Sequence, residues 1–216
     1  PASIRNCIAT IKAGGYRLDA IVANAGIMAL PKLELVHGIE RQFFTNHIGH
    51  FMLVTGLLKL LSPAGRVVML SSDAHKSAPV GGIDFDNLDG SKGYKPWTAY
   101  GQSKIANLLF AKELAQRLSG GKQTAYAVHP GVIKTNLVRS MNPAVGVLFN
   151  AIKPLVLKTI PQGAATECFC AVNPKAVALS GNYFAGSNVA SCRAEGNDPV
   201  LAKRLWDVSE KIVSKL

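Results

Sequence analysis

The sequence lacks several kinds of segment, and two of these absences each argue against a class of protein. No run of roughly 18 apolar residues occurs, because residues 145–157 are interrupted by Lys153 and Pro154, so no membrane-spanning helix is predicted. The lysines and arginines are scattered singly rather than interleaved with aromatics, which argues against nucleic-acid binding. Repeats, low-complexity tracts and interdomain linkers are also lacking. With 216 residues and 48% hydrophobic content, the chain is long enough for one large core.

Acidic residues are scarce. The chain has 13 Asp and Glu against 24 Lys and Arg, which gives a formal net charge of +11. The plain interpretation is a solvated basic surface. Such a surface also favours a phosphate-bearing cofactor or anionic lipid headgroups, so peripheral membrane contact stays open alongside a small-molecule partner.

Cysteines are few, and no metal site is predicted. Four cysteines in a chain of this length indicate free thiols in a reducing compartment, here expected to be the cytoplasm. Cys168 and Cys170 fall in a predicted helix, where a spacing of two puts their sulfurs on different faces and argues against a zinc pair. His47 and His50 are spaced as metal ligands can be, but no third ligand is evident, so both are expected to pack in the core.

Tyr100 and Lys104 form the most informative pair in the sequence. Residues four apart on a helix share a face, so the phenol and the ammonium project into the same space. A free tyrosine titrates near ~10, and a positive charge about 4 Å away supplies roughly the 4 kcal/mol needed to bring it near neutrality. We therefore expect Lys104 to lower the pKa of Tyr100 and make it an acid/base. The plain alternative is a half-exposed aromatic beside a solvated lysine.

The segments around this pair predict an α/β fold. Residues 65–70 and 124–129 are short apolar runs typical of buried parallel strands, and residues 100–118 between them have helical periodicity. Another strand is predicted at residues 18–23, and a long apolar helix at residues 40–61. Polar residues follow the strands at their carboxyl ends, where ligands bind in open α/β sheets.

Several motifs in this order resemble one family. They are Asn24-Ala-Gly26, Thr45-Asn46-His-Ile-Gly-His-Phe51, Ser71-Ser72, Tyr100-x-x-Ser-Lys104, His129-Pro-Gly131 and the closing stretch from Pro161 through Leu205-Trp-Asp-Val-Ser-Glu210. From about Leu18 almost to its end, the chain resembles the short-chain dehydrogenase/reductases. It is nearest to the branch of retinol dehydrogenases, WW-domain oxidoreductases and related carbonyl reductases. The resemblance implies a doubly wound, mostly parallel Rossmann-like sheet and one NAD(P)-binding domain over residues 1–216.

One part of the family pattern is missing. Members begin with a strand and a glycine-rich turn that binds the dinucleotide pyrophosphate. Residues 1–17 predict a helix instead, with Ile4, Ile8 and Ile11 on one stripe, and Gly14-Gly15 precedes a strand rather than following one. We expect the chain to be the C-terminal two-thirds of such a domain, with its N-terminal part missing.

The resemblance assigns four catalytic residues. Tyr100 exchanges a proton with the substrate oxygen, Lys104 holds the cofactor ribose, and Asn46 holds a water of a proton relay; by itself, Asn46 reads as a packing residue. Ser71 and Ser72 point to opposite faces of the strand end, so only one reaches the substrate. The family pattern favours Ser72, which register alone does not decide.

The resemblance also assigns cofactor contacts. They are Asn24, Ala25, Gly26, Asn46, Tyr100, Lys104, Pro130, Gly131, Val132 and Thr135. Without the other motifs, residues 24–26 read as an ordinary turn. The cofactor is NADP or NAD, with NADP favoured, although the residue that reads the ribose 2′ position is not among these motifs.

Residues 136–162 are rich in apolar side chains, which predicts either a lid over a lipophilic substrate or a pair of amphipathic helices on the core. The expected reaction is hydride transfer between nicotinamide and an alcohol or carbonyl of a retinoid-, steroid- or aldehyde/ketone-like substrate. Two alternatives remain: a catalytically weak binding or scaffold protein of the same family, and a light-dependent reductase of the protochlorophyllide type. A homodimer stays open.

Overall fold

The computed structural model describes residues 1–133 and 158–216. The helices are α1 (Ala2–Ala13), α2 (Arg41–Phe43), α3 (Gly49–Leu57), α4 (Pro96–Arg117), α5 (Ile160–Val172) and α6 (Pro199–Val213). The strands are β1 (Leu18–Ala23), β2 (Leu35–Val36), β3 (Ile39–Glu40), β4 (Leu61–Leu70), β5 (Thr124–His129), β6 (Tyr183–Ala185) and β7 (Asn188–Val189). The predicted lid therefore lies almost entirely outside the described residues, and its last three positions, 160–162, are the first turn of α5.

The main sheet has the strand order β1-β4-β5-β6-β7. The first four strands are parallel, and β7 runs antiparallel to β6. Strands β2 and β3 form a separate antiparallel pair. The predicted mostly parallel sheet is thus confirmed.

Helices cover both faces of this sheet. On one face, Val67 and Met69 of β4 pack in a core with Phe51 of α3 and Leu108 of α4. On the other face, Val68 packs in a second core with side chains that include Cys170 of α5. Successive strand residues therefore enter different cores, as the two-residue period of a strand requires. This arrangement confirms a doubly wound α/β fold.

Helix α1 packs against two glycines of α3. A Cβ added to Gly56 would lie 2.5 Å from Ile8 Cδ1, and one added to Gly49 would lie 3.4 Å from Ile4 Cδ1. The predicted isoleucine stripe therefore faces α3, which offers small residues that let the two helices approach closely.

Two predicted boundaries shift in the structure. Strand β4 begins at Leu61, where it pairs with Leu18, rather than near residue 65. Helix α4 begins at Pro96 instead of Tyr100, because proline fits the first helical position, where its missing N–H has no helical partner. Among the described residues, no helix is both long and apolar enough to cross a membrane.

Candidate active site

Tyr100 and Lys104 lie in the first half of α4, and both side chains are buried. Their exposed fractions are 4% and 2%. The Lys104 Nζ atom lies 5.5 Å from the centroid of the Tyr100 ring. The structure therefore brings the pair together as the helical spacing predicts, and it removes the alternative of a solvated lysine beside a half-exposed ring.

The two serines after β4 have different surroundings. Ser71 Oγ is buried and donates a hydrogen bond to the Lys104 carbonyl oxygen at 2.8 Å. Ser72 has extended backbone dihedrals, and its Oγ accepts from the Ala74 N–H at 3.2 Å. The Ser72 hydroxyl is also close enough to the Tyr100 phenol to lower the phenol's pKa. Ser71 thus ties β4 to α4, while Ser72 stands beside the phenol.

Asn46 connects the loop after β1 to α4. Its Nδ2 atom donates to the Ile27 carbonyl oxygen and to Ser103 Oγ, each at 2.9 Å, and its Oδ1 atom accepts from the Ile27 N–H at 2.9 Å. Asn46 lies in a π-helical turn, Phe44–Ile48, a distortion often found at functional sites. Both hydrogens of the Asn46 amide are therefore donated to protein atoms, so this side chain positions Ile27 and Ser103.

Burial sets the electrostatics of the pair. It lowers the pKa of Lys104 to about 8, although the Glu167 carboxylate opposes the shift. Burial also raises the pKa of Tyr100 to about 12, and the Ser72 hydroxyl opposes that shift only in part. The pKa of Tyr100 is therefore raised, rather than lowered as expected from the sequence, because desolvation of the phenolate is the largest effect on it.

The predicted turns after β1 and β5 border this cluster. Asn24 and Ala25 are exposed at the end of β1. A Cβ added to Gly26 would lie 3.1 Å from Asn46 Oδ1 and 3.7 Å from Lys104 Nζ, so this turn runs close against both side chains.

The turn after β5 lies beside the Ser72 loop, since the Asp73 N–H donates to His129 Nδ1 at 3.2 Å. Pro130 follows His129 directly. Gly131 has a φ of 89°, which side-chain-bearing residues rarely adopt, and the Val132 carbonyl oxygen accepts from the Lys158 N–H at 2.8 Å. Thr135 lies outside the described residues.

These residues fit the nicotinamide end of a dinucleotide. Lys104 Nζ donates to the Leu70 carbonyl oxygen at 3.1 Å, and an ammonium has three donors, so hydrogens remain for ribose hydroxyls. Residues 1–17 do not form a comparable site for the pyrophosphate of the dinucleotide. There, α1 is followed by the Gly14-Gly15 turn, which leads into β1 rather than out of a strand.

Gln42 is a buried residue with several hydrogen-bond partners that the sequence pattern did not predict. Its Oε1 atom accepts from the Ala29 N–H at 2.6 Å, and its Nε2 atom donates to the Tyr94 hydroxyl at 3.0 Å and to the Pro96 carbonyl oxygen at 3.3 Å. Gln42 thus holds the loop after β1 to the start of α4. A polar residue in the apolar run of residues 40–61 was the sequence feature that could have indicated a buried, hydrogen-bonded side chain.

Gly101 and His75 were also missed. A Cβ added to Gly101 would lie 2.7 Å from the Ala74 carbonyl oxygen and 2.7 Å from the Ala78 nitrogen, so the backbone of α4 touches the backbone of the 3-10 helix Asp73–Ser77 and its C-terminal end. His75 Nδ1 lies 2.7 Å from the Ser72 carbonyl oxygen. A glycine inside a helix costs about 1 kcal/mol relative to alanine. An unfavourable glycine at position 101, next to Tyr100, was the sequence feature that could have indicated this close contact.

Comparisons with known proteins agree with this geometry. The family model described as enoyl-(acyl carrier protein) reductase matches residues 1–181. The short-chain dehydrogenase TIC 32 A, chloroplastic, of Brassica napus is 42% identical, over 99% of this chain and 69% of that protein. Human retinol dehydrogenase 14 is 39% identical, over 93% of this chain and 60% of that protein.

A solved structure from Mycobacterium paratuberculosis matches with a TM-score of 0.75 and 30% identity, over 99% of this chain and 72% of that one. A blue fluorescent protein solved with NADPH has a TM-score of 0.63 and 23% identity, over 85% of this chain and 69% of that one, and it shows the shared fold.

Fold, site and relatives together define an oxidoreductase of the NAD(P)-dependent class that acts on CH–OH groups. The chain belongs to the short-chain dehydrogenase/reductase family. The predicted family, fold and enzyme class are therefore confirmed. The chain spans 69% of the length of the chloroplastic relatives and about 60% of the length of the human retinol dehydrogenases that it matches.

Proposed function

We propose that the protein transfers hydride between a nicotinamide cofactor and the alcohol or carbonyl group of a lipophilic, retinoid-, steroid- or aldehyde/ketone-like substrate. The observation that carries this proposal is the convergence of Ser72, Tyr100 and Lys104 where β4 ends against α4. Relatives named retinol dehydrogenases support the substrate class.

Tyr100 is the proton donor in the reductive direction. With its pKa raised to about 12 by burial, the phenol is protonated at neutral pH and is ready to give its proton to a carbonyl oxygen. The Ser72 hydroxyl, beside the phenol, hydrogen-bonds the same oxygen and stabilises the charge that develops on it. The opposite reaction needs the phenolate, so oxidation of the alcohol is favoured at alkaline pH.

Lys104 and Asn46 organise the reacting groups. The remaining donors of the Lys104 ammonium hold the cofactor ribose, and its charge stabilises the phenolate that remains after proton transfer. Asn46 fixes the loop that carries Gly26 against α4. When bound, the nicotinamide supplies or accepts the hydride.

The cofactor contacts extend over residues 24–26, residues 130–132 and Thr135. NADP is proposed over NAD because the net charge of +11 favours the cofactor with the additional phosphate. The whole chain is proposed to form one NAD(P)-binding domain, with residues 136–162 as a lid over the substrate. A cytoplasmic location, peripheral membrane contact and a homodimer also remain proposals.

The test is an assay of the full chain with a panel of lipophilic aldehydes and ketones. NADPH or NADH oxidation is followed by absorbance. The proposal predicts consumption of the reduced cofactor that depends on the carbonyl and slows when the transferred hydrogen is replaced by deuterium. A protein that binds cofactor and carbonyl without turnover is instead a binding or scaffold protein of this family.

A further inference from the structure

An exposed tryptophan stands beside the reactive phenol. Trp97 lies one helical turn before Tyr100 on α4, and the two ring centroids are 6.1 Å apart with an interplanar angle of 80°. The exposed fraction of Trp97 is 44%. A large aromatic side chain therefore borders the proposed reaction centre while much of its surface still faces solvent.

The backbone just before this indole is held in place by hydrogen bonds. Pro96, at the start of α4, has a restricted φ, and its carbonyl oxygen accepts from Gln42 Nε2 at 3.3 Å. The Tyr94 hydroxyl accepts from the same Nε2 atom and donates to the Leu30 carbonyl oxygen at 2.6 Å. Because a tryptophan has only two side-chain torsions, little conformational freedom is left to lose when a ligand binds.

We propose that Trp97 is a specificity-determining wall of the substrate site, and that it selects carbonyl compounds whose carbonyl is conjugated to a planar π system. The inference rests on the proposed oxidoreductase function. An indole gains extra attraction from a π system, in offset-stacked or edge-to-face geometry, beyond the burial of apolar area. A saturated chain of equal size gains the burial alone. Trp97 thus discriminates between substrates that are equally lipophilic.

The chain contains only two tryptophans, which makes a direct test practical. The second, Trp206, is 5% exposed and stacks on Phe110. Protein labelled with 5-fluorotryptophan should show two fluorine NMR resonances, and the one lost in Trp97→Phe belongs to Trp97. The ligands are two ten-carbon ketones, conjugated planar 4-phenyl-3-buten-2-one and saturated 2-decanone, each added to protein with NADPH.

The conjugated ketone is expected to shift the Trp97 resonance, to leave the Trp206 resonance in place, and to give a larger shift than 2-decanone. In kinetics, Trp97→Ala should lower the ratio of kcat/KM for the conjugated ketone to that for 2-decanone by about fivefold, the size expected for a lost aromatic pair. Trp97→Phe, which keeps a ring, should preserve most of that ratio.

The outcomes separate this inference from the proposed function. Reduction of the conjugated ketone with an unmoved Trp97 resonance, or an unchanged ratio in Trp97→Ala, overturns the role of Trp97 and leaves the function standing. A specific Trp97 shift without turnover supports the wall and contradicts the function. If neither a Trp97 shift nor turnover is observed, both the role of Trp97 and the proposed function are contradicted.

Discussion

The Nζ atom of Lys104 lies 5.5 Å from the ring centroid of Tyr100, and both side chains are buried at the junction of β4 and α4. Burial moves the two pKa values in opposite directions, to about 8 for the ammonium and about 12 for the phenol. Lys104 therefore loses its charge more readily than a free lysine, and Tyr100 holds its proton more tightly than a free tyrosine. Burial thus keeps the phenol protonated at neutral pH, as the proposed role of proton donor requires, and it makes the lysine charge destabilising to the fold.

Replacement of Lys104 by methionine should stabilise the fold at neutral pH. The lysine pKa falls from 10.5 to about 8 on folding, so the buried charge costs up to about 3 kcal/mol below pH 8. The cost fades as the pH rises from 8 to 10.5, because the folded side chain is already neutral while the unfolded one progressively loses its proton, and above 10.5 both states are neutral. The advantage of Lys104→Met should therefore shrink over that interval.

Urea unfolding at several pH values measures this difference. Lys122→Met, at an exposed position before β5, is the control and should differ from the wild type by a small and nearly constant amount. An advantage of Lys104→Met that grows with pH would contradict the assignment of a buried, destabilising charge.

Alanine at Gly101 should impair both stability and turnover. Its Cβ would lie 2.7–2.8 Å from backbone atoms of Ala74, Ser77 and Ala78, and backbone cannot rotate away as a side chain can. We expect a loss of about 1–3 kcal/mol, offset in part by the better helix propensity of alanine. Because the displaced segment follows Ser72 directly, kcat should fall as well.

Gly120→Ala is the matched control, since nothing lies within 4 Å of a Cβ at that position. Thermal unfolding and steady-state kinetics of both variants test the prediction. Equal behaviour of the two variants is the result that would count against a backbone contact that positions Ser72.

The two neighbouring serines should respond differently to alanine. Ser72→Ala removes the hydroxyl beside the phenol, so turnover should fall by about 10²-fold, and loss of the acceptor for the Ala74 N–H should lower stability by about 1 kcal/mol. Ser71→Ala removes the hydrogen bond to the Lys104 carbonyl oxygen, so stability should fall by about 1 kcal/mol with a much smaller effect on turnover. Measurement of kcat distinguishes the two variants, with urea unfolding as the check on stability. A larger loss of kcat in Ser71→Ala than in Ser72→Ala would contradict the assignment of Ser72 as the serine that faces the substrate.

The sequence predicted those parts of the site that depend on local spacing. The four-residue interval between Tyr100 and Lys104 is sufficient to place both on one helical face, and short apolar runs identify the buried strands. The links made by Gln42 were not predictable, because Ala29, Tyr94 and Pro96 come together only in the folded chain. The direction of the Tyr100 pKa shift was missed for the same reason, since it depends on how deeply tertiary packing buries the phenol.

The π-helical turn at Asn46 and the early start of β4 at Leu61 were likewise beyond the sequence pattern. The first depends on how a long helix packs between β1 and α4. The second depends on pairing with Leu18, a residue far away in the chain. In both cases tertiary contacts overrule a local preference.

Proton donation by Tyr100 is tested most directly by Tyr100→Phe, which removes only the hydroxyl. Turnover of a lipophilic carbonyl by the wild-type protein and the variant is compared with cofactor affinity measured by calorimetry. We expect kcat to fall by about 10³-fold or more while cofactor affinity stays within a few-fold of the wild type. Turnover retained at a level near the wild type would show that another group supplies the proton.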